Sequence, residues 1–166
     1  MAQYILPRTG ILAFMDDESR EQLTTYGNLV STVAGQVLIE EGQDQTRLYL
    51  VISGTFDVTT HVSGRDIHLD KVGVGDCLGE VAVFQPGPAS ATVTCADAGQ
   101  LWYMEVDHLQ QFLLDWHHAS CALLFGINTI LSRRLKRANT VIKANEIMPN
   151  FLSVRAKKRV EGAKLA

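Results

Sequence analysis

Residues 79–93 read GEVAVFQPGPASATV, and the fold turns on how this stretch is read. Gly79-Glu80 followed by Val81, Ala82, Val83 and Phe84 has the character of a single helical turn, Pro86-Gly87-Pro88 makes a corner, and β-branched residues resume at Thr92. A helical turn running into a tight loop leaves backbone N–H groups without intrahelical partners, and such a cluster attracts an anion, most often a phosphate. Phosphate sites usually add an arginine or lysine. None occurs between residues 79 and 93.

Working outward, the flanking sequence is β in character. From about residue 29 to 106 it runs through LVSTV, QVLIE, RLYLVI, TFDVTTHV, DIHLDKV, ATVTCA and QLWYMEV. Glycines 35, 42, 54, 64, 75, 79 and 87 punctuate these runs at positions read as turns. Short strands at this spacing predict an all-β barrel or sandwich. Ahead of them, FMDDESREQLTTYG (14–27) reads as a short helix, with Asp16 or Asp17 near its cap and Phe14, Leu23 and Tyr26 available to pack. After Val106 the period becomes helical. Asp107 to Trp116 predict one short helix, and roughly Ser120 to Ile147 a long one. Its apolar stripe runs Leu124, Ile127, Leu131, Leu135, Ala138, Ile142. Pro149 is expected to end that helix. The resulting organisation is an N-terminal helical segment (1–27), a β-roll (28–118), a long helix (119–148) and a basic tail (149–166).

Composition narrows the function. With 46% hydrophobic residues in 166, the chain can build a real core. No apolar run approaches the roughly 18–20 residues that span a bilayer, and the N-terminus lacks the pattern of a secretory signal, so a cytoplasmic protein is expected. Cys77, Cys95 and Cys121 are odd in number and widely spaced, fitting neither a disulfide framework nor a metal-ligand pair. The net charge of −3 conceals a division: residues 1–132 hold five Lys and Arg against sixteen Asp and Glu, a balance of −11, and residues 133–166 hold ten against two, a balance of +8. A basic end of this kind suits an anionic partner, whether nucleic acid, a membrane surface, an acidic protein or the protein's own acidic body; a solvated helix face is the plain alternative.

The order of an N-terminal helix, a glycine-punctuated β-roll, a Gly-Glu insertion, a β-strand and C-terminal helices resembles the cyclic nucleotide-binding domain. The resemblance covers residues 14 to about 145. It is carried by AGQVLIEEGQ (34–43), LYLVISGTFDV (48–58), VGVGDCLGEVAVF (72–84) and PASATV (88–93), five motif glycines in register. It implies a mainly β jelly roll and a phosphate-binding cassette at 79–93, with cAMP or cGMP as regulatory ligand and no metal. In that cassette Gly79 and Val81 frame the turn and Glu80, an acceptor-only carboxylate, takes the ribose 2′-hydroxyl. Backbone N–H groups near Ala82 and Ala91, with the Ser90 hydroxyl, face the cyclic phosphate. The resemblance further places Asn139 and Thr140 near the base and Arg134 toward the cassette glutamate. The alternative reading of Glu80 is a cap on its own turn.

The departure falls at Ala89, where the family pattern carries an arginine. A charge-assisted hydrogen bond to phosphate is worth about 1.5–3 kcal/mol, so its loss weakens micromolar binding toward the sub-millimolar. Three explanations stay open: an arginine from elsewhere, such as Arg133 or Arg134; a different ligand; or a pocket kept only as scaffold.

Other chemistries find less support. A cupin-like metal site would need clustered histidines, but His61 and His68 lack a His-x-His partner, and the adjacent His117 and His118 cannot face one site on a helix. No nucleophile elbow or P-loop occurs, so the chain is not expected to be an enzyme. The residues after Pro149 are too few for a helix-turn-helix, which makes sequence-specific DNA reading unexpected, although Arg155, Lys157, Lys158 and Arg159 could touch phosphates non-specifically. The expectation is a regulatory sensor domain that signals through its C-terminal helix to a protein partner and forms a homodimer along that helix. The competing reading is a ligand-free dimeric scaffold.

Overall fold

A computed structural model describes the backbone of residues 4–162 and the side chains of 4–143 other than Ala82. The elements in chain order are a 3-10 turn Gly10–Leu12, α1 Asp17–Thr24, β1 Asn28–Thr32, β2 Val37–Ile39, β3 Arg47–Val62, β4 Arg65–Val72, β5 Cys77–Leu78, α2 Glu80–Phe84, β6 Thr92–Glu105, α3 Val106–Asp115 and α4 His117–Gly162. The fold is mainly β with N- and C-terminal helices, as the sequence predicts. The chain divides into two compact units, Met1–Ile130 and Leu131–Ala166.

In the first unit one antiparallel sheet is ordered β1-β6-β3-β4, with β2 also on β6 and β5 also on β3. Two strands organise it. RLYLVI and TFDVTTHV, expected as separate strands, form the single strand β3, and ATVTCA and QLWYMEV form the single strand β6. Gly54 does not make a turn between strands: at φ 85° it bends β3 without ending it, and the β3–β6 register slips on both sides of it. Such bulges raise twist and let one strand serve two partners. The first half of β3 pairs with β5 (Tyr49 opposite Leu78) and the second half with β4 (Phe56 opposite Val72). The roll interior is an apolar cluster of Ile39, Tyr49, Val51, Phe56, Val72, Leu78, Val93, Cys95 and Leu101.

Residues of β3 and β6 on the face opposite that cluster are also buried, and α3 contacts β6. Leu48, Leu50, Trp102 and Met104 are buried, as are Leu23, Leu109, Phe112, Leu123, Ile127 and Ile130 of α1, α3 and α4. Asp16 caps α1, its Oδ1 accepting from Ser19 N at 2.8 Å. The sequence reading missed the segment ahead of α1. Leu6, Ile11, Leu12 and Met15 are buried, and the 3-10 turn is seated by close backbone approach. Ile11 N donates to Gly75 O at 3.0 Å, and a Cβ on Gly126 would lie 1.9 Å from Ile11 O. Phe14, expected to pack, is half exposed and meets Phe125 edge-on at 4.7 Å.

At the corner between α3 and α4, Tyr26 holds the turn. Its hydroxyl donates to Asp115 Oδ2 at 2.9 Å and accepts from Trp116 Nε1 at 3.0 Å, while its ring meets Phe112 edge-on at 5.3 Å. The helix α4 then differs from expectation at its far end. It continues through Pro149 to Gly162. An internal proline removes one backbone hydrogen bond and crowds the preceding turn, which disfavours a helix without forbidding it, and the Arg-Ala-Lys-Lys-Arg run at 155–159 consists of strong helix formers. The basic side chains of that run lie outside the described residues. No helix among the described residues is long and apolar enough to cross a membrane.

Candidate cassette between β5 and β6

The site is built where β5 leaves the sheet. Gly79 sits at φ 76°, ψ 6°, the left-handed conformation, and starts the five-residue helix α2. A Cβ there would lie 2.2 Å from Arg47 O and 2.8 Å from Gln45 Nε2, so the position needs glycine for both conformation and space. Glu80 follows as the first residue of α2 and is buried, only 5% exposed. Val81 and Phe84 project outward, each about half exposed. Gln85 N closes the turn on Val81 O at 2.8 Å.

The return path is anchored on residues 42–44. Pro88 bridges Asp44, Ala89 N donates to Gln43 O at 2.8 Å, and Gly42 N donates to Ala89 O at 2.8 Å. Ala89 is therefore fixed by its backbone and half-buried, its methyl packed against the roll's apolar cluster. Ser90 is exposed and Ala91 half-buried in the bend before β6. The polar run EEGQDQTR (40–47) thus supports both ends of the cassette, Gly79 over Arg47 and Ala89 on Gln43. The sequence reading used 40–43 as part of a family motif and Gly42 as a turn, but gave the run no role in supporting the cassette. Its signal was available as a long polar run wedged between two β-rich stretches.

Two charged groups in this segment, Arg47 and Glu41, are already engaged. Arg47 Nε donates to Glu105 Oε1 at 2.6 Å and its guanidinium lies 5.0 Å from the Tyr103 ring centre. The Glu105 carboxylate first, and Tyr49 second, raise its pKa above the ordinary value. Glu41 Oε2 accepts from His61 N at 2.9 Å and Oε1 from Thr60 Oγ1 at 2.8 Å, which lowers its pKa below the ordinary carboxylate value. A depressed carboxylate adds stability that is present above its unfolded pKa and lost as pH falls through the folded one. Glu41→Gln is accordingly expected to lower the urea midpoint at pH 7, with the difference from wild type closing below about pH 4. A gap that persists unchanged at pH 3 would show that the carboxylate's charge is not what holds the loop.

Gly79, Glu80, Val81, Ala82, Ala89, Ser90 and Ala91 lie in the stretch from the end of β5 through α2 to the start of β6. Arg134, Asn139 and Thr140 belong to the second unit, on α4; Arg134 is half-buried, and Asn139 and Thr140 are exposed, with Thr140 Oγ1 donating to Lys136 O at 3.0 Å. Among the described residues no three His, Cys, Asp or Glu side chains come close enough to hold a metal ion.

The profile of the cyclic nucleotide-binding domain family matches residues 29–115, from β1 to the end of α3. The chain belongs to that family. Within it, this cyclic nucleotide-binding domain is 31% identical over 136 residues to a CRP-like cAMP-activated global transcriptional regulator of Mycobacterium tuberculosis, a match covering 81% of this chain and 59% of that protein. The chain thus spans about three fifths of the length of that curated relative. Among solved structures it is similar to the N-terminal domain of a transcriptional regulator from Streptomyces coelicolor, at 30% identity and a TM-score of 0.66, over 84% of this chain and 95% of that one. It is also similar to the regulatory domain of Toxoplasma gondii PKA, solved with cAMP, at 28% identity and a TM-score of 0.58, over 64% and 41%.

Proposed function

We propose that this domain is a non-enzymatic regulatory sensor that binds a cyclic nucleotide, cAMP or cGMP, between β5 and β6 and signals through α4 to a protein partner. The observation that carries the reading is the left-handed Gly79 followed by a buried Glu80, inside the span that matches the family. An acceptor-only group buried at the start of the cassette suits the hydroxyls of a ribose. The M. tuberculosis relative is cAMP-activated, which supports a ligand of this class. Arg134, Asn139 and Thr140 enter as ligand contacts on the resemblance alone. Calorimetry of the full chain against cAMP and cGMP tests the reading: dissociation constants of roughly 0.1–1 mM are expected with no arginine at position 89. Heat indistinguishable from dilution for both, in a folded protein, would favour the second reading, a ligand-free scaffold. That reading draws on one observation, the Ala89 methyl packed into the apolar cluster.

Signalling through α4 calls for an interface. In the second unit Leu135, Val141 and Ile142 are 56–63% exposed, an apolar face suited to a second copy of the same helix. Leu135→Asp with Ile142→Asp is expected to convert a homodimer into a monomer in sedimentation at about 100 μM, with the thermal midpoint of the β-roll unchanged. A wild type that already sediments as a monomer at that concentration would exclude the dimer.

A further inference from the structure

We propose that Glu41 is a positioning residue of the cassette: it acts by fixing the limb 88–91 to β3, and through that limb it sets the affinity for a cyclic nucleotide. The affinity half of this inference rests on the sensor reading above. Glu41 stands at the junction where the cassette becomes β6. Thr92 is the first residue of β6 and lies opposite Thr59, the last pair of the β3–β6 ladder. On its other side β6 runs beside β2, with Val93 opposite Ile39. From Ile39 the chain continues past the start of β6 to Glu41, whose N–H donates to Thr92 Oγ1 at 3.1 Å. Its carboxylate reaches β3 beyond that last pair: Oε1 accepts from Thr60 Oγ1 at 2.8 Å and Oε2 from His61 N at 2.9 Å. One residue thus ties both strands at the junction, β6 by its backbone and β3 by its side chain.

The two residues after Glu41 hold the limb itself, Gly42 N donating to Ala89 O and Gln43 O accepting from Ala89 N, each at 2.8 Å. Residues 88–91 belong to no strand of the sheet and meet it by the single bridge between Asp44 and Pro88. Their place therefore depends on residues 41–44. The other limb is held differently: Gly79 and Glu80 follow directly from β5, which pairs with Tyr49 and Leu50 in the first half of β3. Both limbs are thus referred to one strand, the Glu80 limb near its start and the Ala89 limb near its end. A ligand that bridges them needs that spacing kept to about 0.5 Å. Both carboxylate oxygens of Glu41 receive a donor, which an acceptor-only group allows; an amide would turn N–H donors toward one of those donors. Charge-assisted bonds of this kind are also stronger than neutral ones.

The test joins backbone NMR relaxation to calorimetry against cAMP and cGMP, on the full chain of wild type, Glu41→Gln, Thr92→Val and Glu40→Gln. Thr92→Val removes the acceptor of Glu41 N and keeps a β-branched side chain. Glu40 is the exposed neighbour, so Glu40→Gln removes the same charge and leaves the bonds of Glu41 in place. In Glu41→Gln and Thr92→Val the order parameters of Gly42 and Ala89 are expected to fall from about 0.85 to below about 0.6, with Val51 and Leu101 in the core unchanged. The dissociation constant of the cyclic nucleotide is expected to rise about tenfold in both, and Glu40→Gln to match wild type. Order parameters that stay high at Gly42 and Ala89, or that fall equally at Val51 and Leu101, overturn the proposal. So does a loosened limb with unchanged affinity, or an equal loss of affinity in Glu40→Gln, which would make the effect one of charge alone. A wild type that binds neither nucleotide removes the sensor reading and the affinity half with it, and the relaxation result then decides whether Glu41 holds the limb.

Discussion

Replacing Phe112 by alanine is expected to lower the unfolding free energy by about 3–5 kcal/mol, against the roughly 5–15 kcal/mol total of a typical domain. The ring is completely buried on α3, where it meets Tyr26 edge-on. Its carbonyl also accepts from Trp116 N at 3.0 Å and from Ser120 Oγ at 3.3 Å, so the residue ties α3 to the start of α4. Truncation leaves a cavity at a corner that hydrogen bonds hold in place, which limits how far the surroundings can collapse into it. Leu114, on the same helix but 69% exposed, supplies the control. Leu114→Ala should stay within about 0.5 kcal/mol of wild type in urea unfolding. Equal losses in the two variants would show that α3 contributes by helix propensity and not by packing.

The second large effect concerns ligand affinity. Ala89→Arg is expected to tighten cAMP or cGMP binding by about 1.5–3 kcal/mol, a factor of roughly 10 to 150, by adding a charge-assisted, bidentate partner for the phosphate. The site can accept the longer side chain because Ala89 is only half-buried and its backbone is pinned by Gly42 and Gln43. The arginine stem can lie along the apolar cluster with its guanidinium directed outward. Combining it with Glu80→Ala should cancel the gain, since without the carboxylate nothing holds the ribose edge and the phosphate is no longer presented to position 89. A folded Ala89→Arg that shows no cyclic nucleotide binding at about 1 mM would mean that the lost charge is not what limits binding.

The roll and its helices were legible because their signals are local. Alternation of apolar residues marks β1, β2 and β4, and Gly79-Glu80 marks the cassette from a dipeptide whose first member must be left-handed. What escaped was set by distant partners. Nothing adjacent to Gly54 says whether it closes a hairpin or bends a strand; that depends on β6 running unbroken beside it, with Gly99 opposite, where a Cβ on Gly54 would lie 3.0 Å from the Gly99 Cα. Residues 4–15 lack any helical or strand period because they are held by Gly75 and Gly126, far away in sequence. The same holds within the site. Glu80 and Ala89 could be named from the sequence, whereas the support of the cassette by residues 42–47 comes from pairing across the fold. Pro149 is the reverse case, a strong local signal that the helix α4 overrides.

The seat of Ile11 against Gly75 and Gly126 bears on the order in which the chain can finish folding during synthesis. Gly126 follows Ile11 by about 115 residues. At translation rates of roughly 5–20 residues per second, that interval is about 6–23 s. For that time the seat of the Ile11 backbone stays incomplete. The seat of Ile11 is complete only once Gly126 of α4 has emerged, so its docking is a late folding step.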